Sequence, residues 1–152
     1  MLKKLPRADH GNALVELAVL LPMLLLIVCF LFDTAIWVQR ALQTQAAVAS
    51  AAAYGAIPGN SANHSGIVQI ANFDATGNIN GTTGFTANAT DFYTCTPGGA
   101  TVTQSTVCSG GAPYHYVKVT ATATVNRIIG FPGIPSSLTT PAVAIYRVEV
   151  NP

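Results

Sequence analysis

Three histidines, three cysteines and six carboxylates are the chain's whole stock for acid–base, thiol or metal chemistry, within 152 residues. His64 and His115 have no serine or cysteine beside them in a recognised nucleophile–base arrangement, and no third group to orient them. Both read as surface or half-buried histidines. Asp74 and Asp91 lack the spacing of an EF-hand loop, and "GFPGIPSS" and "PGGATVTQS" lack the Gly-Lys-Ser/Thr of a phosphate loop. Cys95 and Cys108 have twelve residues between them. Only His115 lies close enough to join them on zinc, which wants more ligands. Cys29 sits in an apolar run and reads as a small hydrophobe. This inventory points away from an enzyme and implies neither cofactor nor metal. One carboxylate is different: Glu16 stands five residues after Gly11, at the head of a long greasy stretch.

Half of the residues are apolar and 9% are charged, against about 25% charged in an ordinary soluble domain. The net charge of +1 gives no basic surface, so nucleic acid is not expected as a partner. Leu17 to Phe32 carries no charge, and apolar residues continue on both sides of it. A spanning helix needs about 20 such residues. Lys3, Lys4 and Arg7 precede the run, and only Arg40 follows closely. The positive-inside rule then puts the N-terminus in the cytoplasm and the later chain outside, with Trp37 in the outer interfacial belt. A cleaved secretory signal is the competing reading. Its Ala-x-Ala-like site would be the "ASA" at 49–51, far beyond the apolar core, so it fits poorly. Export would make Cys95–Cys108 a disulfide; in the cytosol they would be free thiols.

"TAIWVQRALQTQAAVASAAAYGAI" holds strong helix formers and no Gly or Pro before Gly55. The spacing predicts one helix from Asn12 to Tyr54, stopped by Gly55 and Pro58 and loosened at Pro22. Val38, Leu42, Ala46, Ala49 and Ala53 share one face of it. Small residues there allow close helix approach, either to other subunits or to the chain's own C-terminal domain. Glu16 and Asp33 lie about 25 Å apart on such a helix, near the two edges of a hydrocarbon layer of about 30 Å. Taken alone, Glu16 fits a carboxylate that snorkels to headgroups.

The leader "MLKKLPRADHG", four uncharged residues, Glu16 and the apolar run together resemble a type IV prepilin-class signal. "GNALVELAVLLPMLLLIVCFLFDTA" narrows the likeness to TadE-like proteins, pseudopilins or minor pilins of the tight-adherence (Flp-type) pilus systems. Glu16, Leu17 and Pro22 stand in the expected places, although many members carry an aromatic residue where Leu17 is. "VQRALQTQAAVASAAAYGA" resembles the family's helical continuation and "TTPAVAIYRVEV" its closing strand. The resemblance implies cleavage between Gly11 and Asn12 by a prepilin peptidase. Glu16 then becomes the fifth mature residue. A carboxylate in low dielectric needs a partner, and the new Asn12 ammonium of a neighbouring subunit supplies one, so Glu16 sets assembly register. The resemblance further implies as partners copies of itself or other pilins, an inner-membrane platform with its assembly ATPase, an outer-membrane secretin, and membrane lipid before assembly. The subunit would rest in the inner membrane, with its C-terminal domain exported, before joining an extracellular pilus or its base. Two other readings stay open: an adhesive module at the pilus tip, and an uncleaved single-pass envelope protein.

The expected organisation is a leader over 1–11, a long helix over 12–57 with its transmembrane part at about 13–38, and an exported β-rich domain over 58–152. The fold class is α+β: a long N-terminal membrane and assembly helix packed on a small antiparallel β-sheet domain. "YHYVKVTATATVN", 114–126, alternates apolar and polar residues, the mark of a half-buried strand. "PAVAIYRVEV", 141–150, is a second strand. Between them Ile128, Ile129, Phe131 and Ile134 make an apolar loop that either plugs the small core or contacts the next subunit. The stretches 90–96 and 100–108 read as two short strands around "PGG", stapled by the cysteines. Residues 65–75 read as a short helix and 76–89 as a turn-rich loop. "NHS", "NGT" and "NAT" match the glycosylation sequon but read as the by-product of an Asn/Thr-rich surface.

Overall fold

A computed structural model describes residues 10–78, 82–127 and 135–148. The first element, α1, is a helix of 47 residues over His10–Ala56, about 70 Å long. It begins two residues before the expected start. Pro22 lies inside it and has no N–H to donate to the preceding turn. Polar side chains in α1 turn back onto the helix's own carbonyls. Thr34 Oγ1 donates to Phe30 O at 2.8 Å, and Thr44 Oγ1 to Arg40 O at 2.9 Å. This satisfies hydroxyls on a surface that offers them no water once covered.

A tight connection follows. Gly59 adopts a φ of 91°, a conformation open to glycine. Asn63 then caps α2 (His64–Asn78): its Oδ1 accepts from the Gly66 N–H at 3.1 Å. An N-cap of this kind is worth about 1 kcal/mol. α2 is the helix expected over 65–75, extended three residues further.

The strands are β1 (Thr82–Thr94), β2 (Thr101–Val102), β3 (Tyr114–Asn126) and β4 (Ser137–Arg147). They form one sheet in the order β2-β1-β3-β4, antiparallel throughout. β3 has the expected bounds, and its inward residues Val117, Val119, Ala121, Ala123 and Val125 are all buried. β4 starts four residues before the expected Pro141. That proline is exposed on an edge strand, where a missing N–H breaks no ladder.

Two expectations fail. The stretch 76–89 is not a loop: α2 runs through Asn78 and β1 begins at Thr82. The strand expected at 100–108 shrinks to Thr101–Val102, because the chain turns at once, with the Thr106 N–H on Thr103 O.

One face of the sheet lies under the two helices. α1 packs its outer half on β3 and β4, and α2 packs on α1 and β1. The core is built from small residues, chiefly Val48, Ala51, Ala52, Ile67, Ala71, Val117, Val119, Ala121 and Ala142. Small side chains let helix and sheet backbones approach closely, but each removes little area from water, so the core gains modestly per residue.

Candidate assembly helix and the clusters around it

From Leu14 to Phe32 the large apolar side chains of α1 are exposed, and those from Leu14 to Ile27 pack on no other element among the described residues. The helix is long and apolar enough to cross a membrane. Such a surface in water is a contact site by default. Glu16 is exposed on it beside Val15, Val19 and Leu20. No ion pair to Glu16 forms among the described residues. Gly11 and Asn12 belong to the helical backbone of its first turn, where the N–H groups lack intrahelical partners.

The outer half of α1 has two distinct faces. Thr44, Ala47, Val48, Ala51 and Ala52 are buried against α2 and the sheet. The stripe singled out from spacing lies mostly on the other side. Val38 and Leu42 are exposed, as are Ala46 and Ala53, while Ala49 is partly buried against the core. The chain's own domain therefore occupies one face and leaves most of the stripe open. Ile128, Ile129 and Phe131 lie outside the described residues.

Where α1 ends, three elements meet at Gly55. A Cβ there would stand 2.7 Å from Ile67 Cδ1 and 2.9 Å from Val117 Cγ1. About 15 Å back along α1, Gln45 donates from Nε2 to the carbonyl of edge residue Val143 at 3.0 Å. Ser50 of α1 donates its hydroxyl to the Asp74 carboxylate of α2. These polar links fix the helices over the sheet.

At the same end the two histidines share a partner that sequence reasoning missed. Asp91 of β1 accepts from His64 Nε2 at 2.8 Å through one oxygen and meets His115 Nε2 at 3.1 Å through the other. A carboxylate only accepts, so each ring carries its hydrogen on Nε2. Burial, the largest single influence, pushes the Asp91 carboxyl up, but the hydrogen bonds and charges of His115 and His64 together outweigh it and hold the carboxyl below its ordinary value. Tyr93 stacks on His115 with ring centroids 4.3 Å apart. The unit joins α2, β1 and β3. It contains no nucleophile, so it reads as a fastening rather than a catalytic triad. The period-two pattern did carry a hint: Asp91 and Tyr93 fall on one face of a strand.

Just beyond it, Cys95 and Cys108 are joined, with Cα atoms 5.4 Å apart. Cys108 is buried and bridges Gly111. The disulfide ties the end of β1 to the segment leading into β3, as the cysteine reading anticipated. Cys29 is free and half-buried.

Residues 11–53 match the family model described as TadE-like protein. The match begins at Gly11 and ends near the close of α1, so it covers Glu16, Pro22 and the whole small-residue stripe from Val38 to Ala53. That family is associated with the tight-adherence pilus. No curated protein and no solved structure matches the chain.

Proposed function

We propose that this TadE-like chain is a pilin or pseudopilin of a tight-adherence pilus. It is inserted with its N-terminus in the cytoplasm, cut between Gly11 and Asn12 by a prepilin peptidase, and assembled by packing of α1 against the helices of other subunits. The observation that carries this reading is the coincidence of the family match with a helix whose apolar half has no cover among the described residues.

The physics of assembly follows from α1. In the membrane, lipid covers the surface from Leu14 to Phe32. Moving into a helical bundle exchanges lipid contacts for protein contacts, so hydrophobicity alone gives little drive. Close packing and polar pairing must supply it. The exposed small residues Ala46 and Ala53 permit the packing. Glu16, exposed and without an ion-pair partner in its own described chain, supplies the pairing. Its carboxylate meets the ammonium created at Asn12 of a neighbour, which fixes the axial register. A head-to-tail contact of this kind does not close on itself and grows a filament. The sheet domain then stands on the outside.

The deciding measurement is the N-terminus of the native protein together with the fate of Glu16→Ala. The proposal expects a mature chain starting at Asn12, and a Glu16→Ala variant that is cut and inserted normally but absent from sheared pili. A native polypeptide that still begins at Met1 in assembled filaments overturns it.

A further inference from the structure

A cavity of about 70 Å³ lies where α1 passes the near end of the sheet. Phe30, Asp33 and Trp37 line it from the helix, and Val125, Arg127 and Leu138 from the strands and their ends. Three polar atoms at this place are buried and find no hydrogen-bond partner among the described residues: Asp33 Oδ2, Trp37 Nε1 and Arg127 Nη1. Such atoms are costly to leave unsatisfied, most of all when they are charged. Asp33 and Arg127 line the same space with opposite charges, yet they do not pair with each other. The wall therefore presents an acceptor of negative charge and an indole donor on α1, and a cationic donor just past the end of β3. The space is several times the 10–15 Å³ or so needed for one water.

We propose that this cavity binds the headgroup of a phospholipid bearing both a primary ammonium and a phosphate, of the phosphatidylethanolamine class. The ammonium donates to Asp33 Oδ2. The phosphate accepts from Arg127 Nη1 and Trp37 Nε1, since a guanidinium and an indole N–H are both suited to anionic oxygens. Depth agrees with this assignment. Asp33 lies about 25 Å along the helix from Glu16, so with Glu16 at one edge of the hydrocarbon it falls at the headgroup level of the other. Trp37 is one turn beyond, where indole rings prefer the interface. The acyl chains continue along the exposed surface of α1 below Phe30. Each charge on the wall meets its opposite on one molecule. An anionic lipid without an amine leaves Asp33 unpaired, and a trimethylated amine carries no N–H to give it. The site holds the sheet domain against the outer membrane face until assembly draws α1 away. This last step rests on the membrane-inserted pilin reading, whereas the headgroup preference does not.

The test is native mass spectrometry of the full chain released from nanodiscs containing equal parts phosphatidylethanolamine, phosphatidylcholine and phosphatidylglycerol. Retention of phosphatidylethanolamine at least fivefold above either other lipid is expected. Asp33→Asn should remove the preference over phosphatidylglycerol, and Arg127→Gln should weaken retention of all three. Trp37→Phe keeps an aromatic ring, loses the Nε1 donor with the five-membered ring that carries it, should weaken retention of all three lipids, and serves should either charge variant fail to fold. Millimolar inorganic phosphate should not displace the lipid; displacement by phosphate alone marks a simple anion site and overturns the headgroup assignment. Equal retention of the three lipids, or a preference unchanged in all folded variants, also overturns it. Filaments are absent from this assay, so failure of the pilin reading leaves its outcome untouched.

Discussion

Gly55 of α1 lies so close to Ile67 of α2 that a single added carbon would come within 2.7 Å of the Ile67 Cδ1. Ile67 is the largest fully buried side chain of the core, so the glycine marks where helix, helix and strand converge. Gly55→Ala gains about 1 kcal/mol in helix propensity and incurs overpacking of about 1–3 kcal/mol. A net loss on the order of 1 kcal/mol is expected in urea denaturation. Ile67→Val deletes the atom in closest conflict. The double variant should therefore lose less than the sum of the two single changes, and strict additivity would show that the contact is not the cause.

The His64–Asp91–His115 unit should make the domain sensitive to acid. The Asp91 carboxyl is held below its ordinary value of 3.8. A lowered carboxyl stabilises the folded state fully above the unfolded value, and the contribution is lost as pH falls through the folded one. Stability of the parent should therefore decline below about pH 4 more steeply than that of Asp91→Asn. At neutral pH the variant should itself be less stable, on the order of 1 kcal/mol for a partly exposed carboxylate with two hydrogen bonds. Thermal melts of both proteins from pH 3 to 7 give the comparison, and parallel curves would remove the role assigned to Asp91.

The Cys95–Cys108 link closes a segment with a sequence separation of 13. The chain-entropy account gives about 3 kcal/mol for a loop of this size. Cys95→Ser with Cys108→Ser should lower the melting temperature by several degrees and release the turn-rich tip first, seen as faster amide exchange around Thr101–Cys108. Thiol titration of the denatured, unreduced parent should count one thiol, that of Cys29. Three thiols would mean the link does not form.

What the sequence disclosed and what it hid have physical causes. The long helix was legible because its signal is local, an apolar run and strong formers; Gly55 did not stop it, since α1 runs through Gly55 to Ala56 and ends two residues before Pro58. β3 was legible because Val117, Val119 and Val125 alternate with Lys118, Thr120 and Asn126, so burial has a visible amplitude. β1 was hidden for the opposite reason. Its inward residues in "TTGFTANAT" include Ala87 and Ala89, which stand out little from their Thr and Asn neighbours. A register irregularity between Thr83 and Thr86, with Gly84 at a φ of 75°, breaks the period again. The Asp91 cluster could not be seen, since its histidines lie 27 and 24 residues away and arrive on two other elements. The pattern of Gly11, Glu16 and the apolar run is confined to adjacent residues, which is why a family likeness was readable there.

The two faces of outer α1 let folding and the proposed assembly be tested apart, and neighbouring alanines make the comparison sharp. Ala52 is fully buried against the sheet domain, whereas Ala53 is exposed, one helical step of about 100° away. Ala52→Phe must overpack a core of small side chains and should destabilise by about 1–3 kcal/mol or more. Ala53→Phe and Ala46→Phe meet solvent in the isolated subunit and should leave its melt within about 0.5 kcal/mol of the parent. If α1 packs on other subunits through the Val38–Ala53 stripe, these two exposed changes hold neighbouring backbones apart. They should then cut pilus yield at least tenfold while membrane levels of the subunit stay normal. Sheared-filament yield against total subunit, measured by immunoblot for each variant, reads both quantities at once. Full assembly of Ala46→Phe and Ala53→Phe would move the contact to another face of α1.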